Sequence, residues 1–135
     1  MRWIEDFLTD RSFVVKVNDA ISDPKSVLSG VPQGSVLGPL LFIIFINDLP
    51  TQCLNESVYL KMFADDVKLY TTFQNSQQTD ILVDSLIKIE DWSTLWGMQI
   101  APNKSQTLHL GNKNPKRQYT IANTQIPEET CIRDL

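Results

Sequence analysis

Residues 29–42 read SGVPQGSVLGPLLF, and the chain continues as IIFINDLP through residue 50. Three of the five glycines and two of the seven prolines lie in residues 29–42: Gly30, Gly34, Gly38, Pro32 and Pro39. Glycine admits backbone conformations that other residues avoid, and proline suits the first turn of a helix. The pattern predicts a stiff loop that leads into an apolar helix over Pro39–Leu49, which Pro50 then ends.

This helix is too short to cross a membrane. Its longest apolar run, Val36–Ile46, spans roughly 16 Å as a helix, whereas the hydrocarbon core of a bilayer is about 30 Å thick. Because the run is apolar nearly all round, we expect the helix to be fully buried in protein.

Composition bounds the class of protein. The chain has 135 residues, of which 42% are hydrophobic and 21% charged, and this composition is ordinary for one globular domain. The net charge of -4 gives no indication of a nucleic-acid partner, so any such binding must come from a local site. Cys53 and Cys131 lack CxxC spacing and His109 is the single histidine, which excludes a zinc cluster of the usual kind.

The remaining pattern predicts a mixture of helices and strands. Apolar residues near the N-terminus recur at helical spacing, and residues 13–17 and 26–28 read as a hairpin. Residues 58–73 alternate on both sides of the pair Asp65-Asp66, which predicts a second hairpin with these acids at its tip. A long helix is predicted over residues 75–96, with Asn75 or Ser76 as its N-cap, Gly97 at its end and a last strand over 106–110.

Two adjacent carboxylates at a hairpin tip suit a divalent cation. Like charges about 4 Å apart repel by roughly 4 kcal/mol at an effective dielectric constant of about 20. A bound cation removes this repulsion, and the oxygens of Asp65 and Asp66 are the hard ligands that Mg²⁺ prefers. The alternative is that Asp65 and Asp66 simply lie in a solvated turn, where acidic residues are common.

Four motifs together resemble one family. The motifs are, in chain order, the 29–42 segment with FINDLP, the segment FADDVKLY, the pair Trp92 and Trp96, and the run with NKS and LHLG. In content and order they resemble the reverse transcriptase domain of non-LTR (LINE-like) retrotransposons. The resemblance covers nearly the whole chain. It implies an α+β fold that is part of a right-hand polymerase palm, a split βαβ or ferredoxin-like unit. It implies a fingers remnant over 1–28, palm over 29–112, and the weakly structured start of the following connection over 113–135.

The resemblance also implies roles for individual residues. Pro32, Gln33 and Gly34 match the loop that lies along the incoming nucleotide and the template. Phe63 and Ala64 match the residues beside the nucleotide, and the family's two catalytic Mg²⁺ ions are bound at the positions of Asp65 and Asp66. Lys104 matches a lysine near the departing pyrophosphate. The implied substrates and partners are an RNA template, a DNA primer and deoxynucleoside triphosphates, with no membrane.

One family feature has no match in the sequence. The family has a further metal-binding aspartate on a strand before the glycine- and proline-rich loop. Asp6, Asp10, Asp19 and Asp23 precede the loop, but they lie in segments that resemble the stretch after that strand. We therefore expect a chain truncated at its N-terminus, with the first palm strand and first catalytic acid missing, and with no polymerase activity when isolated.

Other interpretations stay open at this point. The chain is either a truncated reverse transcriptase palm or a non-catalytic remnant or repurposed binding module. A third alternative, an unrelated Mg²⁺-dependent hydrolase that uses Asp65 and Asp66, would leave the 29–42 segment unexplained. Trp92 and Trp96 are expected in the core, and His109 is expected to face solvent. Lys113, Lys116 and Arg117 either contact phosphates or lie in a solvated loop. The sequence indicates neither oligomeric state nor localisation, although the family implies the nucleus.

Overall fold

The computed structural model describes residues 2–53, 57–73 and 77–132. The chain divides into two compact units, residues 1–46 and 47–135. Each unit is described by itself. Both contain helices and strands, as the mixed pattern of the sequence predicts.

The first unit begins and ends with a helix. Between the helices lie four strands of two residues each, paired as two small antiparallel ladders, β1 with β4 and β2 with β3. The elements in chain order are α1 Arg2–Leu8, β1 Ser12–Phe13, β2 Lys16–Val17, β3 Ala20–Ile21, β4 Lys25–Ser26 and α2 Gly38–Ile46.

The first predicted hairpin is present, with a tighter turn than its sequence indicates. Val17 pairs with Ala20, so Asn18 and Asp19 alone connect β2 to β3. Asn18 has a φ of 53°, a left-handed conformation that asparagine tolerates better than most residues. The returning strand therefore starts at Ala20, well before the predicted residue 26.

Helix α2 differs from its prediction in burial. Gly38 and Ile46 are buried, but Leu40, Ile43 and Ile44 keep 53%, 57% and 65% of their surface exposed. The expectation of full burial is wrong in the described structure. An apolar helix is buried only if other elements cover it on every side, and the two-residue strands of this unit are too short to do so.

The second unit contains the remaining elements. Its strands pair as the antiparallel hairpins β5–β6 and β8–β9 and as the parallel pair β7–β10. The elements in chain order are α3 Leu49–Cys53, β5 Val58–Phe63, β6 Asp66–Thr71, α4 Gln77–Leu95, a 3₁₀ helix Pro102–Lys104, β7 Thr107–Leu108, β8 Thr120–Ile121, β9 Thr124–Gln125 and β10 Glu128–Glu129.

Helix α3 corrects the predicted end of the apolar helix. The sequence predicts that the apolar helix ends at Leu49 because Pro50 follows. In the structure α2 ends at Ile46, and Pro50 lies in the first turn of α3. Proline is well tolerated there because the first amides of a helix have no partner inside the helix. Asn47 and Asp48 form the break.

Helix α4 is the centre of the second unit. It contacts α3, both strands of the β5–β6 hairpin and β8. Ser85, Ile89 and Trp92 are buried and follow helical spacing along one face. The predicted N-cap residues Asn75 and Ser76 lie outside the described residues.

Gly97 ends α4, as the sequence predicts. Its φ is 65°, the left-handed conformation of a glycine that terminates a helix. The amide of Met98 donates to the Ser93 carbonyl at 2.9 Å, and the Gly97 amide donates to the Thr94 carbonyl at 3.3 Å. These two bonds form a Schellman motif, which satisfies carbonyls that the helix leaves without partners.

The segment expected to be weakly structured contains a small core instead. Tyr119, Ile121 and Ile126 are buried together at the β8–β9 hairpin. The half-buried side chains that pack against them come from α4 and the segment after it: Leu82, Val83, Leu86 and Ile100. The expectation of weak structure over 113–135 is therefore wrong for residues 119–129. Within the described residues no helix is long and apolar enough to span a bilayer.

Candidate functional site

The predicted acids lie at the tip of the β5–β6 hairpin. Phe63 pairs with Asp66, so only Ala64 and Asp65 form the connecting turn. Ala64 has a φ of 51°, whereas Asp65 keeps an ordinary negative φ. This sign pattern is that of a type II′ turn, which usually has glycine at its first central position. The sequence therefore predicts the tip correctly, and the turn holds an alanine in a conformation that L residues disfavour.

Both carboxylates at the tip are exposed. Asp65 lies in the turn, and Asp66 is the first residue of β6. Because Ala64 and Asp65 close the turn within two residues, the two acids are presented together at one end of the hairpin. In the part of the chain that the structure describes, no three residues of the types His, Cys, Asp and Glu form a metal-binding group. The tip thus offers two hard oxygen donors, and a complete cation site needs further ligands.

The hairpin that supports the tip has two different faces. Val58 is buried, and Leu60 and Met62 are half-buried, on the face that packs toward α4. On the opposite face Tyr59 and Tyr70 are cross-strand partners with stacked rings, whose centroids lie 5.3 Å apart. A ladder packed on one face gives the tip a fixed base.

The 29–42 loop forms a turn of defined type. The Ser35 amide donates to the Pro32 carbonyl at 3.2 Å, which closes a four-residue turn with Gln33 and Gly34 at its centre. Gly34 has a φ of 83° at the third position, as a type II turn requires. A β-carbon built on Gly34 would meet nothing within 4 Å, so Gly34 is needed for its backbone angle and not for space within the chain.

Ser35 joins this turn to α2. Its hydroxyl donates to the Pro32 carbonyl at 2.6 Å and accepts the Gly38 amide at 3.0 Å. A β-carbon on Gly38 would lie 3.0 Å from both the Pro32 carbonyl oxygen and the Ser35 Oγ. Gly38 therefore allows close packing, because the loop lies directly against the first residue of α2.

Arg11 makes two hydrogen bonds to backbone carbonyls that the sequence pattern does not predict. Its Nε donates to the Leu8 carbonyl at 3.0 Å and its Nη2 donates to the Gly30 carbonyl at 2.5 Å. The guanidinium thus ties the end of α1 to the beginning of the loop. An arginine 19 residues from its acceptor has no local signal that would have indicated this role.

The remaining predicted residues have different outcomes. Lys104 ends the 3₁₀ helix with its side chain exposed, and its amide donates to the Ala101 carbonyl at 3.0 Å. Arg117 binds the carboxylate of Asp80 and donates to the Thr79 hydroxyl at 3.0 Å, so it is engaged within the protein. Lys113 and Lys116 are exposed.

The two tryptophans and the histidine divide between core and surface. Trp92 is 5% exposed, as predicted, but Trp96, the residue after α4, is 47% exposed, so the expectation that it lies in the core is wrong. His109 is half-buried and its ring centroid lies 6.2 Å from that of Tyr119, so the expectation that it faces solvent is wrong. Burial raises the pKa of the Tyr119 hydroxyl, and the nearby charge of Arg117 lowers that pKa by less.

Sequence comparisons place the chain among known proteins. Residues 1–127 match the family described as reverse transcriptase (RNA-dependent DNA polymerase). The probable RNA-directed DNA polymerase from transposon X-element of Drosophila melanogaster is 32% identical over 139 residues, which cover 98% of this chain and 15% of that relative. The RNA-directed DNA polymerase from mobile element jockey of the same species is 32% identical over 116 residues, 82% of this chain and 13% of the relative.

A third relative agrees with these two. The probable RNA-directed DNA polymerase from transposon BS of Drosophila melanogaster is 34% identical over 110 residues, 76% of this chain. The chain spans between 12% and 15% of the length of these three relatives. No solved structure matches. The resemblance to the polymerases of non-LTR retrotransposons is confirmed, and the chain belongs to the reverse transcriptase family.

Proposed function

We propose that this chain is a palm segment of an RNA-directed DNA polymerase that joins deoxynucleotides to a DNA primer on an RNA template. The observation that carries the proposal is the β5–β6 tip, where a two-residue turn presents Asp65 and Asp66 together in a chain of the reverse transcriptase family. The proposed architecture is the split βαβ palm, with residues 1–28 from the fingers and residues 29–112 from the palm.

Asp65 and Asp66 are the proposed ligands for two Mg²⁺ ions. The donor set fits, because both side chains are exposed carboxylates at the end of a hairpin of six paired residues per strand, and Mg²⁺ is typically bound by one or two carboxylates together with substrate phosphates and water. When bound, such a pair of ions stabilises the attacking and leaving oxygens of an in-line displacement. The family's further aspartate would complete the site, and we propose that residues 1–135 on their own do not polymerise.

Three other parts of the chain have proposed roles. Lys104 is exposed and carries a positive charge that can offset the charge of a departing pyrophosphate. The Pro32–Gly34 turn leaves open space above Gly34, where a β-carbon would meet nothing, and this suits the approach of a nucleotide or template. Phe63 and Ala64 would flank the nucleotide at the tip.

Metal binding by the tip can be tested without activity. Mn²⁺, a paramagnetic substitute for Mg²⁺, should broaden the amide signals of residues 63–67 in an NMR titration of the chain. Asp65→Asn and Asp66→Asn should each remove this broadening because an amide is a weak cation ligand. Asp19→Asn is the matched control, since Asp19 occupies the same position in the β2–β3 turn. Broadening that persists in both tip variants would contradict the assignment.

Polymerase activity is tested in a longer protein. Residues 1–127 would replace the matching segment of the X-element relative, and primer extension on an RNA template would be measured with Mg²⁺. We expect the chimera to extend the primer. Asp65→Asn should abolish this extension, and Asp19→Asn should preserve it. Extension that survives Asp65→Asn would refute the catalytic role of Asp65. Template-dependent synthesis by residues 1–135 alone would refute the proposed inactivity.

A non-catalytic binding module is the second candidate function. The observation that favours it is that the described residues hold only two carboxylates at the tip and no larger metal-binding group. A chain that binds oligonucleotides but gives no Mn²⁺ response and no active chimera would support this alternative.

A further inference from the structure

Arg11 contacts three separate backbone segments of the first unit. Its own carbonyl accepts the Val27 amide at 2.8 Å, directly after β4. Its guanidinium donates from Nε to the Leu8 carbonyl at 3.0 Å and from Nη2 to the Gly30 carbonyl at 2.5 Å. One residue thus joins the last residue of α1, the end of the β1–β4 ladder and the start of the 29–42 loop.

Burial contributes little to holding the start of this loop. Leu28, immediately before the loop, is 94% exposed, and Val36, inside it, is 95% exposed. Gly30 has a φ of 80°, and a β-carbon built there would meet nothing within 4 Å, so neither a side chain nor close packing restricts its backbone. A hydrogen bond to the Gly30 carbonyl supplies that restraint, because it orients the planar peptide unit that leads to Val31.

The downstream end of the turn in this loop has an anchor of its own. The Ser35 hydroxyl donates to the Pro32 carbonyl and accepts the first amide of α2, which attaches the turn to that helix. Gly30 lies two residues before Pro32, so the bond from Arg11 acts on the upstream end of the same turn. The Pro32–Gly34 turn is therefore restrained on both sides, by Ser35 locally and by Arg11 through α1.

A guanidinium suits the two carbonyls that Arg11 binds. Its Nε and Nη2 lie along one edge of a rigid plane and donate in fixed directions. The Leu8 carbonyl is among the last of α1, which the helix leaves without an internal partner. The bond to Leu8 thus orients the guanidinium so that its second donor meets Gly30. Lysine carries a compact ammonium without this planar pair of donors and does not reproduce the arrangement.

We propose that Arg11 is a positioning residue that acts through the Gly30 carbonyl and sets where the Pro32–Gly34 turn meets the incoming deoxynucleoside triphosphate. The inference rests on the proposed function, under which this turn lies along the nucleotide and the template. Without the guanidinium the upstream end of the turn is released. The turn then occupies its binding position for a smaller fraction of the time, and the apparent affinity for the nucleotide falls by that fraction.

The kinetic test uses the chimera in which residues 1–127 replace the matching segment of the X-element relative. Arg11→Ala should raise the KM for the deoxynucleoside triphosphate about tenfold, the effect of a turn that is in position about a tenth of the time, with kcat nearly unchanged. A merely structural role would reduce the amount of folded enzyme, which lowers the apparent kcat and leaves KM unchanged. Arg2→Ala, which removes an exposed arginine from α1, is the matched control and should change neither constant.

The order of the loop is measured without catalysis, by NMR relaxation of the backbone amides in the 135-residue chain. In Arg11→Ala the order parameter of the Gly30 amide should fall from about 0.85 to below about 0.6, and that of Gly34 should fall by less, because Ser35 still holds the turn. The Val27 amide bonds the backbone of Arg11 and should stay ordered, which checks that the β1–β4 ladder survives. Unchanged order at both glycines would overturn the proposal.

Arg11→Lys keeps the charge and removes the planar pair of donors. It should raise KM less than Arg11→Ala does, and it takes the place of the alanine variant in both measurements if that variant does not fold. An unchanged KM, or a fall in kcat at constant KM, would overturn the positioning role. A chimera that is inactive with Arg11 intact would instead refute the proposed function, and the order parameters of Gly30 and Gly34 would then decide whether Arg11 holds the turn.

Discussion

The indole Nε1 of Trp92 donates a 2.9 Å hydrogen bond to the Asp48 carboxylate, across 44 residues of sequence. Asp48 belongs to the FINDLP motif and directly precedes α3, and Trp92 lies in α4. The Asp48 backbone carbonyl also accepts the Thr51 hydroxyl at 2.7 Å. Two motifs that carry the family resemblance thus meet in a structural contact, which attaches α3 to α4.

Removal of the Asp48 carboxylate should destabilise the second unit. Asp48→Ala removes a part-buried hydrogen bond to a charged acceptor, and the expected loss is about 1.5–3 kcal/mol of unfolding free energy. Asp48→Asn keeps an acceptor oxygen and should lose less. Urea unfolding followed by tryptophan fluorescence measures this difference. Asp84→Ala, at an exposed position on α4, is the control, and equal stability of the Asp48 and Asp84 variants would contradict the prediction.

A side chain at Gly38 should crowd the turn that precedes α2. The β-carbon of Gly38→Ala would lie 3.0 Å from the Pro32 carbonyl oxygen and from the Ser35 Oγ, and overpacking of this kind costs about 1–3 kcal/mol. Removal of the Ser35 hydroxyl relieves one of these two contacts. Gly38→Ala should therefore cost less in a Ser35→Ala background than alone. A double-mutant cycle on urea midpoints tests this coupling, and strictly additive effects would count against the packing account.

Glycine at position 64 should stabilise the β5–β6 hairpin. Ala64 has a φ of 51°, and a left-handed conformation costs an L residue about 1–2 kcal/mol. Ala64→Gly removes this strain. Glycine also makes the unfolded chain more flexible, which offsets about 0.5–1 kcal/mol of the gain in unfolding free energy. We expect a small net increase in the urea midpoint. Ala20→Gly, at an exposed strand position without positive φ, should instead lower the midpoint, and the same sign for both variants would exclude strain at Ala64.

Alkaline pH should destabilise the protein through Tyr119. Its hydroxyl is buried without a hydrogen-bond partner among the described residues, and burial raises its pKa above 10.0 in the folded state. The unfolded chain therefore loses the proton first. The stability that this group contributes is fully present below pH 10.0 and is lost as the pH rises through the folded-state pKa.

The matching variant is Tyr119→Phe. It has no proton to lose, so its unfolding free energy should decline less above pH 10.0 than that of the unchanged chain. Below that pH the unfolding free energy of the variant should equal that of the unchanged chain or exceed it by about 1 kcal/mol, because a buried hydroxyl without a partner carries a desolvation cost. Urea unfolding across the alkaline range measures both effects. Parallel pH profiles for the two proteins would rule out Tyr119 as the responsible group.

Features set by neighbouring residues were predictable. The alternation around Asp65 and Asp66 predicts the β5–β6 hairpin and its tip, because period two and turn preference act within a few residues. Gly97 predicts the end of α4 for the same reason, since a left-handed glycine closes a helix through bonds to the preceding turn. Family membership follows from motif order along the chain and needs no coordinates.

Features set by distant residues were not predictable. The apolar character of α2 indicated burial, yet burial depends on which elements cover the helix, and Leu40, Ile43 and Ile44 remain exposed. Residues 113–135 lack strong periodicity, yet Tyr119, Ile121 and Ile126 are buried because half-buried α4 side chains pack against them. Neither outcome has a local signal.

The sequence by itself determined the family, the turn that presents Asp65 and Asp66, and the end of α4, because motif order, alternation and capping are local properties. The tertiary structure decided that the Trp92 indole donates a hydrogen bond to the Asp48 carboxylate and that Arg11 donates one to the Gly30 carbonyl. It also decided that the aromatic rings and lysines of β5 and β6 share one exposed face. Those relationships depend on register and on packing between residues far apart in the chain, which only the folded backbone brings together.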